Sequence, residues 1–367
     1  MFNLKYLSLA SLLAVTMFTA CSTDEDPIVE DDYTIPTTYN FENVSYTGQL
    51  ERLSMLGEMK DYMKTGVDEN TSLDVDRLLA MYANADGADF ANTYAKQLKS
   101  KTLSSAQADI EVLLQQMATS SESTGDYTAG TAGTITKLDG SKTYLLNDKG
   151  VEPIQLIEKG LMGACFYYQA ASVYLGADKM NADNETVEPG KGTDMEHHWD
   201  EGFGYFGAPI DFPTNTDGLF YWAKYSNTTN GVLGNNATIM NAFLKGRAAI
   251  SNDDLSTRDE AIAEVRASWE SIVVGAAMHY LNGAIADIDD AAVVHHEISE
   301  ALAFIYSLKF NEAASQTNDV IDGYLSTLAT TADITAFDLT GLTLDQITSV
   351  RDQMATDYGL EAVKEQL

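Results

Sequence analysis

Cysteine, proline and histidine are scarce in this chain: two, six and five respectively among 367 residues. Two cysteines allow one disulfide at most, and only if neither has another task. Cys165 lies in the apolar run Leu161-Met-Gly-Ala-Cys-Phe-Tyr-Tyr and reads as a buried, inert thiol rather than a nucleophile. Positive charge is scarce too. Against 55 acidic side chains stand 22 basic ones, a net charge of −33. A field of that sign repels nucleic acid and anionic lipid, so nucleic-acid partners are excluded; it favours cations or basic partners, or serves solubility alone. After the first twenty residues no segment is apolar and long enough to span a bilayer. Catalytic signatures are absent as well: no His-Glu-x-x-His zinc helix, no Gly-x-Ser-x-Gly elbow, no phosphate loop and no Gly-x-Gly-x-x-Gly after a strand.

What is present begins with an address. Residues 1–20, MFNLKYLSLASLLAVTMFTA, combine Lys5 with an apolar core from Leu7 to Phe18 that is too short to span comfortably. Small residues Thr19 and Ala20 precede Cys21, the layout of a lipoprotein signal. The expectation is therefore a signal peptide at 1–20, lipidation at Cys21 and anchoring to a membrane through acyl chains. With Cys21 acylated, Cys165 is left without a disulfide partner. An acidic run follows, including Asp24, Glu25, Asp26, Glu30, Asp31 and Asp32, and has nothing apolar to bury. Residues 21–45 read as a lipidated acidic tether. The run resembles the export tag of Bacteroidetes-type surface lipoproteins, which implies an outer-membrane lipoprotein displayed on the outer face; a plain linker is the alternative.

From residue 46 to 367 the apolar period is helical, and 45% hydrophobic residues suffice for a large core. Leu50, Leu53, Leu56, Met59 and Met63 share one face of a first helix that starts at Thr47 and stops near Gly66. Helical spacing continues through 73–82, 88–98, 104–117, 152–175, 194–205, 236–250, 255–287, 291–310, 320–328 and 344–358. Residues 210–233 read as irregular and aromatic-rich. Asp139-Gly140 between two β-type runs predicts a small hairpin near 134–146. The fold class is thus all-α with one hairpin excursion, as two packed helical bundles divided near residues 190–235.

Four of the five histidines fall in two adjacent pairs, His197-His198 and His295-His296. Within Asp194-Met-Glu-His-His-Trp-Asp-Glu201, residues three and four apart share a helix face, so Asp194, His197, His198 and Glu201 project from neighbouring positions. His296 and Glu300 repeat the spacing. Setting Glu201 over Glu300 aligns small, apolar, small and aromatic residues after each, which points to a degenerate internal repeat. Imidazole and carboxylate one turn apart can chelate a metal or form a charge-assisted hydrogen bond. Either both faces converge on one polar site, or each pair satisfies itself in the core or on the surface. The lone His279, between Met278 and Tyr280, reads as a core histidine. Arg247, flanked by apolar residues, reads as a structural ion pair or an anchor for an anionic ligand. Gly202-Phe-Gly-Tyr-Phe-Gly-Ala-Pro209 reads as a helix end that packs closely, or as a binding loop.

Tyr39-Asn-Phe-Glu-Asn-Val-Ser-Tyr-Thr-Gly48, Lys159-Gly-Leu-Met-Gly-Ala164, His197-His-Trp-Asp-Glu-Gly-Phe-Gly-Tyr-Phe-Gly207 and Lys245-Gly-Arg-Ala-Ala-Ile250 together resemble the domain-of-unknown-function 4856 lipoproteins of Bacteroidetes. Those are similar to the imelysin group, which implies a doubled helical bundle and a setting in iron uptake. The imelysin signature Gly-x-His-x-x-Glu, tied to a peptidase label, is matched by His198 and Glu201, but Glu196 stands in place of its glycine. The resemblance implies an iron or other divalent-metal site rather than a transferred peptidase activity. The leading expectation is a non-enzymatic envelope lipoprotein that binds a metal ion or iron-bearing ligand through His197 or His198 with Glu201 and His296 with Glu300, supported by Asp194 and Arg247. A metallopeptidase with Glu201 as base, and an interaction subunit of an outer-membrane uptake complex, are the alternatives.

Overall fold

Helical periodicity carries the chain into helices nearly wherever it is present. The computed structural model describes residues 33–68 and 71–367. The expected signal segment, Cys21 and most of the acidic tether lie outside the described residues. Among the described residues, α1 (Thr47–Asp68), α2 (Val75–Ala83) and α3 (Gln107–Ser121) lead into a two-stranded antiparallel hairpin, β1 (Gly133–Thr136) and β2 (Thr143–Leu146). Its loop is longer than the two residues Asp139-Gly140: the Lys137 N–H reaches the Lys142 carbonyl, and Gly140 takes a positive φ within. Then come α4 (Pro153–Leu161), α5 (Ala177–Met180), α6 (Asp194–Phe206), α7 (Tyr221–Leu233), α8 (Asn235–Ser251), α9 (Leu255–Ala286), α10 (Ala291–Ser307), α11 (Asn318–Ala329) and α12 (Leu344–Asp357). No helix among the described residues is long and apolar enough to cross a membrane.

Two expectations fail locally. Residues 88–98 form loop instead of helix, because Glu58 on α1 takes up their backbone: its carboxylate accepts from the Ala91 and Asn92 N–H groups and from the Tyr94 hydroxyl. Tyr221–Leu233, read as irregular, is α7. Its aromatic side chains are those of a buried helix face, with Trp222 donating Nε1–H to the Met162 carbonyl.

The compact unit that holds the helices spans Ile35–Leu367, with its first helix at Thr47. Tyr39 ties the segment before α1 to the core. Its ring stacks 3.8 Å from Phe203, it is fully buried, and its hydroxyl reaches Asp200. One contiguous apolar core joins the helices. The 32-residue α9 is its spine, touching α7, α8, α10 and α12. It has no solvent-facing polar stripe over Val265–Leu281 because neighbours cover it on most sides.

The element that organises the candidate residues is α4 with its continuation. From Met162 to Tyr174 the same rod proceeds as a π-helix, with i→i+5 hydrogen bonding in place of i→i+4. Such wide turns are rare and concentrate at functional sites. Helix α10 packs on the α4 half of this rod and α6 on the π half. Both histidine-bearing helices therefore lie along a single central helix.

Candidate functional site

Two side-chain clusters grow from this rod. The first is on α6. A capping box starts that helix: Thr193 accepts from the Glu196 N–H, and Glu196 accepts in return from the Thr193 N–H. Five residues on from Glu196, Glu201 points at the π-helix and at the start of α1. Its Oε1 accepts from Gln49 Nε2 at 2.9 Å and from the Tyr174 hydroxyl at 3.0 Å. Its Oε2 lies 3.2 Å from His198 Nδ1 and 3.9 Å from His197 Nε2. Burial alone would raise the Glu201 pKa, but the hydrogen bonds from His198 and Gln49 and the neighbouring His197 bring it down to about 2. Burial lowers the His197 pKa, against the pull of Glu201.

Gly204 makes this approach achievable. A Cβ there would stand 2.7 Å from Tyr46 Cβ and 3.0 Å from Gln49 Cβ. The glycine-rich end of α6 thus admits the start of α1, as one reading of that series expected; Gly207 closes the helix with φ +82°. The result is a cavity of about 350 Å³, lined by residues 45–49, Arg52, Lys96, Lys101, His197 and Glu201. Asp194 does not join it. Asp194 is exposed and pairs with Lys191 at 2.7 Å.

The second cluster is a closed ring of side chains. His296 Nδ1 meets Glu152 Oε2 at 2.6 Å, and His296 Nε2 lies 3.5 Å from Glu300 Oε1. Glu300 meets Lys159 Nζ at 3.2 Å, Lys159 donates to Gln155 Oε1 at 2.6 Å, and Gln155 Nε2 donates to Glu152 Oε1 at 3.0 Å. Glu158 adds a branch, binding Lys159 at 2.7 Å and Lys60 at 2.5 Å. Tyr144 of the hairpin stacks on His296, centroids 4.3 Å apart. Burial alone would lower the Lys159 pKa, yet Glu158 and Glu300 hold it above the ordinary lysine value.

The clusters do not share a cavity. Glu201 is held by Tyr174 and Glu300 by Lys159, fifteen positions apart on one rod. The expected convergence of His197, His198 and Glu201 with His296 and Glu300 is thereby corrected: the repeat places its two copies in series along the central helix. Among the described residues, no group of three or more His, Cys, Asp and Glu is arranged to hold a metal ion.

The other candidates have structural roles. Arg247 is fully buried, donating to Asp200 at 2.9 Å, to Glu196 at 2.6 Å and to Ser251. It is the ion pair that one reading expected, and Glu196 is one of its partners. Burial raises Asp200 to about 6 even though Arg247 counters it. Cys165 is buried and free, and burial pushes its thiol up to about 12. His279 is exposed, not in the core, because it falls on the one solvent-facing strip of α9.

Sequence reasoning missed Gln49, Tyr174, Arg52 and Lys101 at the first cluster and Glu152, Gln155, Glu158 and Lys159 at the second. The latter had a signal. An adjacent Glu158-Lys159 in a helix apolar on most sides must be buried, and buried charges come paired.

Glu201 sets an acid-stability expectation. Its pKa is about 2 in the fold and 4.5 as its ordinary value. A depressed carboxylate contributes stability that is complete above about pH 4.5 and is lost as pH falls towards 2. In urea unfolding, Glu201→Gln is expected to cost on the order of 2 kcal/mol at pH 6 and about a quarter of that at pH 2.5. An equal cost at both pH values would show that the carboxylate's charge is not what the cluster holds.

A family model described as Domain of unknown function (DUF4856) matches residues 36–361. Neither a curated protein nor a solved structure matches the chain.

Proposed function

The chain belongs to that family of unknown function, and on this premise we propose that it is a non-enzymatic, envelope-tethered binding lipoprotein whose ligand, a metal ion or an iron-bearing compound, enters the cavity at Glu201. The observation that carries the reading is one ionised carboxylate, Glu201, and one imidazole, His197, at the wall of a cavity of about 350 Å³, with His198 paired to the same carboxylate. Neutral imidazole and carboxylate are the donors that suit divalent iron, zinc and copper. Iron as the metal, lipidation at Cys21, display on the outer membrane and association with uptake proteins come from the resemblances in sequence and form part of the same proposal.

Calorimetry with ferrous, zinc and copper salts tests the proposal. Wild type is expected to bind at least one of them, and His198→Ala/Glu201→Ala to bind it at least about tenfold more weakly, since each lost first-coordination ligand removes more than 1.4 kcal/mol. Equal affinity in the two proteins would remove Glu201 as the site.

A further inference from the structure

The cavity at Glu201 carries a charge opposite to that of the molecule. Acidic side chains outnumber basic ones 55 to 22 over the chain. In the cavity lining the order reverses: Arg52, Lys96 and Lys101 face one carboxylate, Glu201. That carboxylate can offset only one of the three positive charges, and its oxygens are already engaged by Gln49, Tyr174 and His198.

The cations are held in place. Arg52 is 6% exposed, and its guanidinium is fixed by the Gln97 carbonyl at 2.8 Å and the Gly48 carbonyl at 3.0 Å. Lys101 Nζ donates to the Tyr174 hydroxyl at 2.9 Å. Desolvation and then the neighbouring Arg52 depress the Lys101 pKa, with Glu201 only partly opposing them. Positive charges drawn together around a single carboxylate are a cost to the fold that a further ligand of negative charge relieves. The first turn of the 22-residue α1 completes the lining through residues 47–49 and brings no acidic side chain. Helix N-termini favour anions for the same electrostatic reason.

We propose that this cavity recognises an oxyanion, a carboxylate or phosphate group, so that the compound taken up is an anionic chelate and not a bare cation. The inference rests on the preceding reading that the Glu201 cavity is the ligand site, and it adds the chemical class. Arg52 and Lys101 contact the oxyanion, Lys96 screens it at the rim, and the Glu201–imidazole side faces whatever metal the chelate carries.

The test is calorimetry of the full-length protein at fixed ionic strength with four probes: citrate, pyrophosphate, ferric citrate and ferrous salt. Metal-free citrate or pyrophosphate is expected to bind wild type, and which of the two binds separates the carboxylate from the phosphate source. Lys96→Met/Lys101→Met is expected to lose at least about tenfold in that affinity, with its thermal midpoint and circular dichroism showing it folded. Ferrous salt bound while both free anions are refused would overturn the oxyanion class and leave the site reading standing. Anion affinity unchanged in the double variant would place the anion elsewhere and overturn the proposal. Binding of none of the four probes would overturn the oxyanion class, and a wild type that also refuses zinc and copper salts would remove the site reading.

Discussion

Lys159→Met is expected to destabilise the protein by about 3–5 kcal/mol. Lys159 is buried and its ammonium is shared by Glu158, Glu300 and Gln155 at 2.7, 3.2 and 2.6 Å. Removing one partner of a buried ion pair leaves the other charge desolvated and uncompensated, which costs more than the pair itself contributed. Two carboxylates would be affected here. Glu158 keeps Lys60, which is partly exposed; Glu300 keeps His296 at 3.5 Å and the Tyr225 and Tyr280 hydroxyls, with no full cation beside it. Adding Glu300→Gln to Lys159→Met is expected to recover about 1–2 kcal/mol, because the amide removes the orphaned charge. Urea and thermal unfolding followed by circular dichroism measure both. A loss below about 1 kcal/mol for Lys159→Met would mean that water or a shifted side chain replaces the ammonium, and that the ring does not lock α10 to α4.

Gly246→Ala is the second large effect, and it acts through shape, not charge. A Cβ at position 246 would stand 2.1 Å from both Cη2 and Cζ2 of Trp199. The indole has nowhere to retreat: Trp199 is fully buried, its Nε1–H is bound to the Phe243 carbonyl at 3.0 Å, and it packs edge-on against the Phe243 ring. Overpacking of this kind costs about 3 kcal/mol. The change is also expected to push α6 away from α8 and so disturb Arg247–Asp200 and the histidines beside Trp199. Gly323→Ala is the contrast. Its Cβ meets nothing within 4 Å on α11, so the same chemical change there is expected to stabilise by about 0.5–1 kcal/mol through helix propensity. If both alanines moved the melting temperature alike, the close approach of α8 to Trp199 would not be a feature of the native state.

The paired histidines show how far a local pattern reaches. The spacing His197-x-x-x-Glu201 and its echo at His296 and Glu300 is a helical one, and both segments are helical with imidazole and carboxylate on a shared face. That follows from 3.6 residues per turn and requires no tertiary information. Which partners complete each pair is a different matter. Gln49 lies 152 positions from Glu201, and Glu152 lies 144 from His296. Neither contact leaves a trace in local periodicity, since the partners meet only after α1, α4 and α10 have docked on the central rod.

The failures have the same root. Residues 88–98 have helical spacing, but the Glu58 carboxylate offers their N–H groups a stronger, charge-assisted partner than a helix ladder would. The π-helical stretch Met162–Tyr174 reads as ordinary helix because its side chains are apolar on all sides, leaving no stripe from which to read the turn angle. Tyr39 looked like tether because one buried aromatic in a polar segment carries no period at all.

Helix positions, the turn around Asp139-Gly140, the inert buried Cys165 and the acidic balance of the chain were determined by the sequence alone. Each depends on neighbours a few residues away or on composition. The cavity at Glu201, its reversed charge, the closed Lys159 ring and the placement of the two His–Glu pairs at different positions along the central rod were decided by the tertiary structure. They depend on distances between segments a hundred or more positions apart, and those distances are set by packing into the common core.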